Sequence, residues 1–416
     1  SPDGRILAYA AMARPTYESD RLVLMLRDLK TNRVRPLTAG WDRSVGSIEW
    51  AKDGKSLLVT ADDTLEHPVF RIDAASGRVT RLTGDGHFDN VRALPDGTVL
   101  ATMNSIAAPD DIYRIGRNGK AQRLTDVNRD LLAELDPITL RKFSFAGANH
   151  DRVWGWTLKA SNATGRLPIA FLVHGGPQGS FSNSWSYRWN PRVFISPGYA
   201  AVSVDFHGST GYGQAFTDSI NRNWGGWPLE DLKLGLAYAT AQDPQLDAGR
   251  ACALGGSYGG YMMNWIEGNW PDRFRCIVQH DGVFDARAMA YETDELWFDE
   301  WEHGKHAYYE APQEFERWNP VNYVEKWKTP QLVVTSEKDF RIPYTQGIAA
   351  FTALQRRDVP SRLLIYPDEN HWVLKPKNSL QWYDEVFSWM GRYLGSGSSR
   401  AEPTSGPGPS ARPGQG

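Results

Sequence analysis

The first third of the chain alternates short apolar runs with polar turn signals, and the alternation repeats. Ser1-Pro2-Asp3-Gly4, Ala51-Lys52-Asp53-Gly54 and Leu94-Pro95-Asp96-Gly97 each precede an apolar run: Ile6-Leu7-Ala8-Tyr9, Ser56-Leu57-Leu58-Val59 and Val99-Leu100-Ala101. Each run is answered by a strand with a common ending, Val34-Arg35-Pro36-Leu37-Thr38, Val79-Thr80-Arg81-Leu82-Thr83 and Ala121-Gln122-Arg123-Leu124-Thr125. The three threonines lie 45 and 42 residues apart. Asp-Gly turns reverse the chain, and a period of about 40 to 45 residues with several short strands per unit predicts β-propeller blades. Residues 1–127 hold about three such units. Because the chain opens in the middle of one, we expect a partial propeller truncated at its N-terminus. The pattern assigns no chemistry to this region.

After a polar link with helical character from Asn128 to about Arg141, the pattern changes. Phe143-Ser144-Phe145 and Val153-Trp154-Gly155-Trp156-Thr157 predict a hairpin. Continuous apolar runs follow at Ile169–Val173, Ala200–Val204, Ala251–Leu254, Cys276–Val278, Gln331–Thr335 and Arg362–Tyr366. Between them lie helical patterns: Pro228 opening a helix with Leu229, Leu232 and Leu236 in phase, a second with Ile348, Phe351 and Leu354, and a last one over about Leu380 to Leu394. Buried strands alternating with helices predict a doubly wound, mostly parallel α/β sheet over residues 128–395. The remaining residues, 396–416, are rich in Gly, Ser and Pro, which predicts a disordered tail.

Length and composition agree with this division. At 416 residues the chain is long enough for two domains with ample cores. Its net charge of −3 gives no reason to expect nucleic acid as a partner, and no apolar run reaches membrane-spanning length. Cys252 and Cys276 sit inside apolar runs and read as small core residues; the pattern does not call for a disulfide.

The chemistry centres on Gly255-Gly256-Ser257-Tyr258-Gly259, between an apolar strand and the helical run Tyr261–Ile266. A Gly-x-Ser-x-Gly turn from strand to helix lifts the serine hydroxyl above the sheet as a nucleophile elbow, its glycines removing Cβ atoms that would block the turn. A serine hydroxyl needs a base, and the base an orienting acid. Asp339 and His371 each fall just past the carboxyl end of a predicted strand, in the order Ser, Asp, His that this elbow requires. Asp368 and Glu369 are rival acids, but stand too close in sequence to His371. For the oxyanion, the backbone N–H of Tyr258 is one donor and Gly175, in His174-Gly175-Gly176-Pro177, the natural source of the second. The cluster His303-Gly304-Lys305-His306 near Glu300 and Glu302 has no metal-ligand spacing, so neither metal nor cofactor is expected.

These motifs, together with Gly208-Ser209-Thr210-Gly211-Tyr212-Gly213, Asp339-Phe340-Arg341-Ile342-Pro343 and Tyr366-Pro367-Asp368-Glu369-Asn370-His371-Trp372, resemble the prolyl oligopeptidase family of serine peptidases. The likeness covers about residues 130–394 strongly and the repeats loosely. Within the family, Asn264-Trp265-Ile266-Glu267-Gly268, Glu295-Leu296-Trp297-Phe298 and Asn319-Pro320-Val321-Asn322-Tyr323 are most similar to type-5 dipeptidyl peptidases, with acylaminoacyl peptidases as rivals. The chain departs from the family pattern at Asp205-Phe206-His207, where Asn-x-Arg is usual, and at Ser336-Glu337-Lys338, where His-Gly is common.

The resemblance implies a propeller joined to an α/β-hydrolase domain, oligopeptide substrates, neither nucleic acid nor membrane as partner, and a periplasmic or secreted location; it leaves a homodimer open. It implies release of N-terminal dipeptides, and hence a carboxylate that reads the substrate ammonium, for which Asp294, Glu295, Glu300 and Glu302 are the candidates. It also implies a primary pocket lined by Tyr258, Phe284, Tyr291 and Ile342, with Arg341 beside the substrate backbone. An acylaminoacyl peptidase, oligopeptidase or esterase of the same fold is the alternative; a non-catalytic binding protein would not need all three triad positions filled.

Overall fold

The computed structural model describes residues 1–395; the segment 396–416, where a disordered tail is expected, lies outside the described residues. The repeats fold as three antiparallel sheets. The first holds Ile6–Ala11, Val23–Asp28 and Val34–Pro36; the second runs from Ile48–Trp50 to Val79–Arg81 and the third from His87–Ala93 to Ala121–Arg123, each of four strands. The repeated residues do the same work in each sheet. Asp3, Asp53 and Asp96 accept the N–H groups of Arg5, Lys55 and Thr98, closing the turns. The hydroxyls of Thr38, Thr83 and Thr125 each accept a main-chain N–H at 2.9 Å, from Leu24, Val69 and Ile112, where the last short strand stops pairing. A hydroxyl at that point prevents an orphaned donor.

The remainder forms one eight-stranded sheet. We number its strands β1 (Ile138–Ala146), β2 (Arg152–Ala160), β3 (Leu167–Val173), β4 (Ala200–Asp205), β5 (Leu246–Gly256), β6 (Cys276–His280), β7 (Gln331–Ser336) and β8 (Ser361–Tyr366). The spatial order is β1-β2-β4-β3-β5-β6-β7-β8, antiparallel at β1, β2 and β4 and parallel from β4 onward. Every residue of β3, β4, β6 and β7 is buried, as a sheet covered on both faces requires. Helices Trp227–Gln242 and Tyr258–Asn269 cover one face; Pro376–Leu394 covers the other through Trp382, Val386, Trp389 and Met390. Among the described residues, no helix is long and apolar enough to cross a membrane.

Two expectations need correction. In the helix Tyr344–Arg356 the inward face is Gln346, Gly347, Ala350 and Leu354, and Ile348 points outward, because small residues let the helix lie close against β7. Cys252 and Cys276 are fully buried as expected, but they are also joined as a disulfide: β5 and β6 are parallel neighbours, and the register sets these two residues directly opposite one another, 4.7 Å apart between Cα atoms.

Candidate active site

Ser257 stands at the end of β5 with φ 60° and ψ −124°, the first residue before the helix Tyr258–Asn269. That backbone is unfavourable for a residue with a side chain, and it persists because packing determines it. Its N–H donates to the His280 carbonyl at 3.0 Å, and its carbonyl accepts from Tyr261 at 2.9 Å. The glycines exist for close approach. A Cβ on Gly259 would lie 2.2 Å from the Val173 carbonyl oxygen, and one on Gly255 would lie 2.4 Å from that of Gly259. The loop His174–Pro177 is equally near: a Cβ on Gly175 would meet the Ser257 Cβ at 2.9 Å. His174 is fully buried, its pKa pushed down to about 4 by burial, so it is neutral. Its Nδ1–H donates to the Gly175 carbonyl and its Nε2 accepts the Ser209 hydroxyl, both at 2.8 Å, which fixes the loop.

Asp339 follows β7 and His371 follows β8. The Asp339 carboxylate is buried; Oδ1 accepts the N–H groups of Arg341 (2.9 Å) and Ile342 (3.0 Å), and Oδ2 lies 2.6 Å from His371 Nδ1. The other imidazole nitrogen is therefore free for the cavity that His371 and Ser257 both line. No hydrogen bond joins the Ser257 hydroxyl to His371. The rival acids have other partners. Glu369 accepts the N–H groups of Leu374 (3.1 Å) and Lys375 (3.0 Å), and its carbonyl accepts that of Lys338 (3.1 Å), so it ties the histidine loop to the aspartate loop. Asp368 pairs with Lys375.

The cavity, about 430 Å³, has an apolar end formed by Val283, Met289, Phe298 and Ile342 beside Tyr258 and Trp224. Glu295 and Arg341 line it too and form an ion pair of 2.8 Å. Burial raises the pKa of Glu295, and Arg341 opposes that rise. Asp294 is more exposed, 3.8 Å from the same guanidinium. Glu300 is not in the cavity wall. Glu302 is buried behind the wall, accepting from Gln178 (2.8 Å) and Trp224 (2.9 Å); burial pushes its pKa up to about 7. Phe284 and Tyr291 do not line the cavity. Phe284 packs into the core against Trp327 and Val333, while Tyr291 is 66% exposed on the outer side of the helix Ala286–Glu292. Met289 of that same helix supplies the wall in Tyr291's place. The His303–His306 segment, which reads as a solvated loop in the sequence, is not solvated at its first residue: His303 is buried and stacked on Phe315 at 3.9 Å.

The departure at Asp205 sits one layer back. Its buried carboxyl accepts the hydroxyls of Tyr212 (2.9 Å) and of Ser180, which lines the cavity, and burial pushes its pKa up to about 7. His207 faces away, bound to Asp231 at 2.6 Å.

Sequence reasoning missed the propeller's share of the site. Tyr17, Glu18 and Ser19, between the first two strands, line the cavity. Tyr17 stacks on Trp301 at 4.6 Å, and Arg14 holds Asp20 on one side and Asp218 of the second domain on the other, at 2.7 and 3.0 Å. The signal was the polar connection 12–22, longer than its counterparts 61–68 and 106–107 in the next two repeats. Arg188, Trp189 and Asp281 are further wall residues that no motif marked.

A sheet of this order, with a serine at a strained elbow after β5 and an Asp–His pair after β7 and β8, defines an α/β-hydrolase carrying propeller blades at its N-terminal side. Residues 185–397 match the family model described as "Prolyl oligopeptidase family", and the chain belongs to that family of serine peptidases. It is 38% identical over 405 residues to dipeptidyl-peptidase 5 of Schizosaccharomyces pombe, covering 94% of this chain and 58% of that protein. To a probable dipeptidyl-peptidase 5 of Aspergillus clavatus it is 39% identical, covering 95% of this chain and 56% of that one. The chain thus spans less than two thirds of the length of these curated relatives. Among solved structures it resembles Pyrococcus horikoshii acylaminoacyl peptidase, with a TM-score of 0.84 and 21% identity over 96% of this chain and 64% of that one. At that identity the likeness concerns the fold alone.

Proposed function

We propose that this chain carries a serine peptidase that releases dipeptides from the N-terminus of oligopeptides. The observation that carries the reading is the Asp339–His371 pair at 2.6 Å, turned toward the cavity where Ser257 is presented at its elbow. In this reading His371 Nε2 takes the Ser257 hydroxyl proton as the oxygen attacks the scissile carbonyl, and Asp339 stabilises the imidazolium. The N–H groups of Tyr258 and Gly175 receive the developing oxyanion. His371 then protonates the leaving amine, and water, activated by the same imidazole, hydrolyses the acyl-enzyme. The apolar end beside Ile342 takes the first side chain on the acyl side. Glu295 takes the substrate ammonium, with Arg341 dividing its charge between Glu295 and the substrate backbone. The names of the curated relatives support dipeptide release over the acylaminoacyl alternative.

The test is a pair of dipeptidyl p-nitroanilides, one with a free N-terminus and one acetylated. Dipeptide release predicts a kcat/KM at least about tenfold higher for the free form, the scale of one charge-assisted contact; equal or inverted rates mean the acylaminoacyl reading. A fluorophosphonate probe is expected to label the protein and to leave Ser257→Ala unlabelled.

A further inference from the structure

The cavity wall carries charged groups from two separate places in the chain, Glu295 with Arg341 and Arg188, and only the first is used by the reading above. Glu295 is matched by Arg341. Arg188, which also lines the cavity, has no carboxylate within ion-pairing distance among the described residues; its guanidinium lies over the Trp372 ring, 5.4 Å from the centroid. Asp281, also in the cavity wall, acts favourably on Arg188 by its charge but makes no ion pair with it. Asp281 is wholly buried, burial drives its pKa well up, and it lies 2.7 Å from the neutral, equally buried His280. Arg188 is solvent-exposed in the cavity wall; the protein crowded around it lowers its pKa, and Asp281 and Tyr383 oppose that fall. The position is also held: the Tyr383 hydroxyl donates to the Arg188 carbonyl, and the Arg188 N–H donates to the Ser186 hydroxyl at 3.1 Å.

Which end of a substrate meets Arg188 follows from the proton transfer. The imidazole that takes the serine proton must return it to the leaving nitrogen, so the leaving fragment lies on the histidine side. Arg188 is on that side, reached from His371 through Trp372, whose ring centroid is 6.1 Å from that of His371. Laid end to end, the steps of 6.1 and 5.4 Å set an upper bound that roughly three residues of extended chain, at about 3.3–3.6 Å each, would span. A planar, stacked guanidinium with free donors matches a carboxylate.

We propose that Arg188 forms a leaving-side subsite for the C-terminal α-carboxylate of short oligopeptides, those whose leaving fragment is two or three residues long. The proposal rests on the peptidase reading and assigns the enzyme a preference for short peptides with free C-termini over amidated or long ones.

The test compares a tetrapeptide free acid with its C-terminal amide, with a dipeptidyl p-nitroanilide, which has no leaving-side carboxylate, as reference. The wild-type protein is expected to favour the acid over the amide in kcat/KM by at least about tenfold, within the range of a charge-assisted hydrogen bond. In Arg188→Gln the ratio is expected to fall to near one, and in Arg188→Lys to an intermediate value. Raising the salt should narrow the wild-type ratio by screening this partly exposed pair. Because the ratio is internal to each protein, a general loss of activity does not imitate the effect, and the wild-type ratio stands whether or not a variant folds. A wild-type ratio near one, or an unchanged ratio in Arg188→Gln, overturns the subsite while cleavage of the p-nitroanilide leaves the peptidase reading intact. Cleavage of none of the three overturns both.

Discussion

The carboxylate of Asp339 accepts two main-chain N–H groups on one oxygen and faces His371 on the other, so its orientation is set by its own loop rather than by the histidine. Asp339→Asn keeps the shape of that arrangement but allows the amide to donate to Nδ1 and reverse the imidazole tautomer. We expect kcat to fall by about 10⁴ with the melting temperature little changed, the scale of such losses in Ser-His-Asp enzymes. A large loss of stability instead would assign Asp339 to the framework. Asp205 offers a second test at this scale. Burial raises its folded pKa from 3.8 to about 7, so the unfolded chain releases this proton from about pH 4 upward while the folded chain retains it. The group therefore costs nothing below pH 4, destabilises increasingly between pH 4 and 7, and by a constant amount above. Asp205→Asn, which keeps an acceptor for Ser180 and Tyr212, removes that cost. Its melting temperature should match the wild type near pH 4 and exceed it above pH 7, by up to roughly 4 kcal/mol of stability. A difference that does not vary with pH means that the carboxyl ionises in the fold.

At the scale of elements, the sheet was readable because a strand buried on both faces has to be a continuous apolar run. The triad loops were readable because the order of those runs places each loop at the same edge of the sheet. Facing was less so. Phe284 precedes a seven-residue helix and Tyr291 lies within it, and periodicity shows that one side is apolar without saying whether that side meets the core or a cavity. Phe284 fell to the core, Tyr291 to the outer side and Met289, unremarkable in sequence, to the cavity wall. Arg188 was unreadable for another reason: its role depends on a Trp372 ring 184 residues away in sequence. The elbow is where sequence and packing constrain each other most. In Gly259→Ala the new methyl would stand 2.2 Å from the Val173 carbonyl, which can yield only if β3 and the elbow helix separate. We expect a loss of about 1–3 kcal/mol, the usual cost of overpacking, together with slower fluorophosphonate labelling as Ser257 and Gly175 move apart. Labelling at the wild-type rate would mean that the oxyanion loop is not set by this contact.

In the whole molecule the two kinds of sheet meet at the cavity. The connection between the first two strands brings Tyr17 and Glu18 to its wall, anchored by the Tyr17–Trp301 stack and by Arg14 between Asp20 and Asp218. The hydrolase half holds Ser257, Asp339, His371 and the loop at Gly175 on one sheet, so the proton relay we propose does not depend on that anchor. Substrate binding does, because the propeller connection closes the side of the cavity near Glu295, where we place the substrate's N-terminus. Tyr17→Ala should therefore raise KM for a dipeptidyl p-nitroanilide about two- to tenfold, the worth of one aromatic stack, while kcat changes less. The fluorophosphonate, which needs only the relay, should label this variant at close to the wild-type rate. If kcat falls with KM unchanged, the propeller connection acts on the chemical step, and the division of labour between the two halves has to be redrawn.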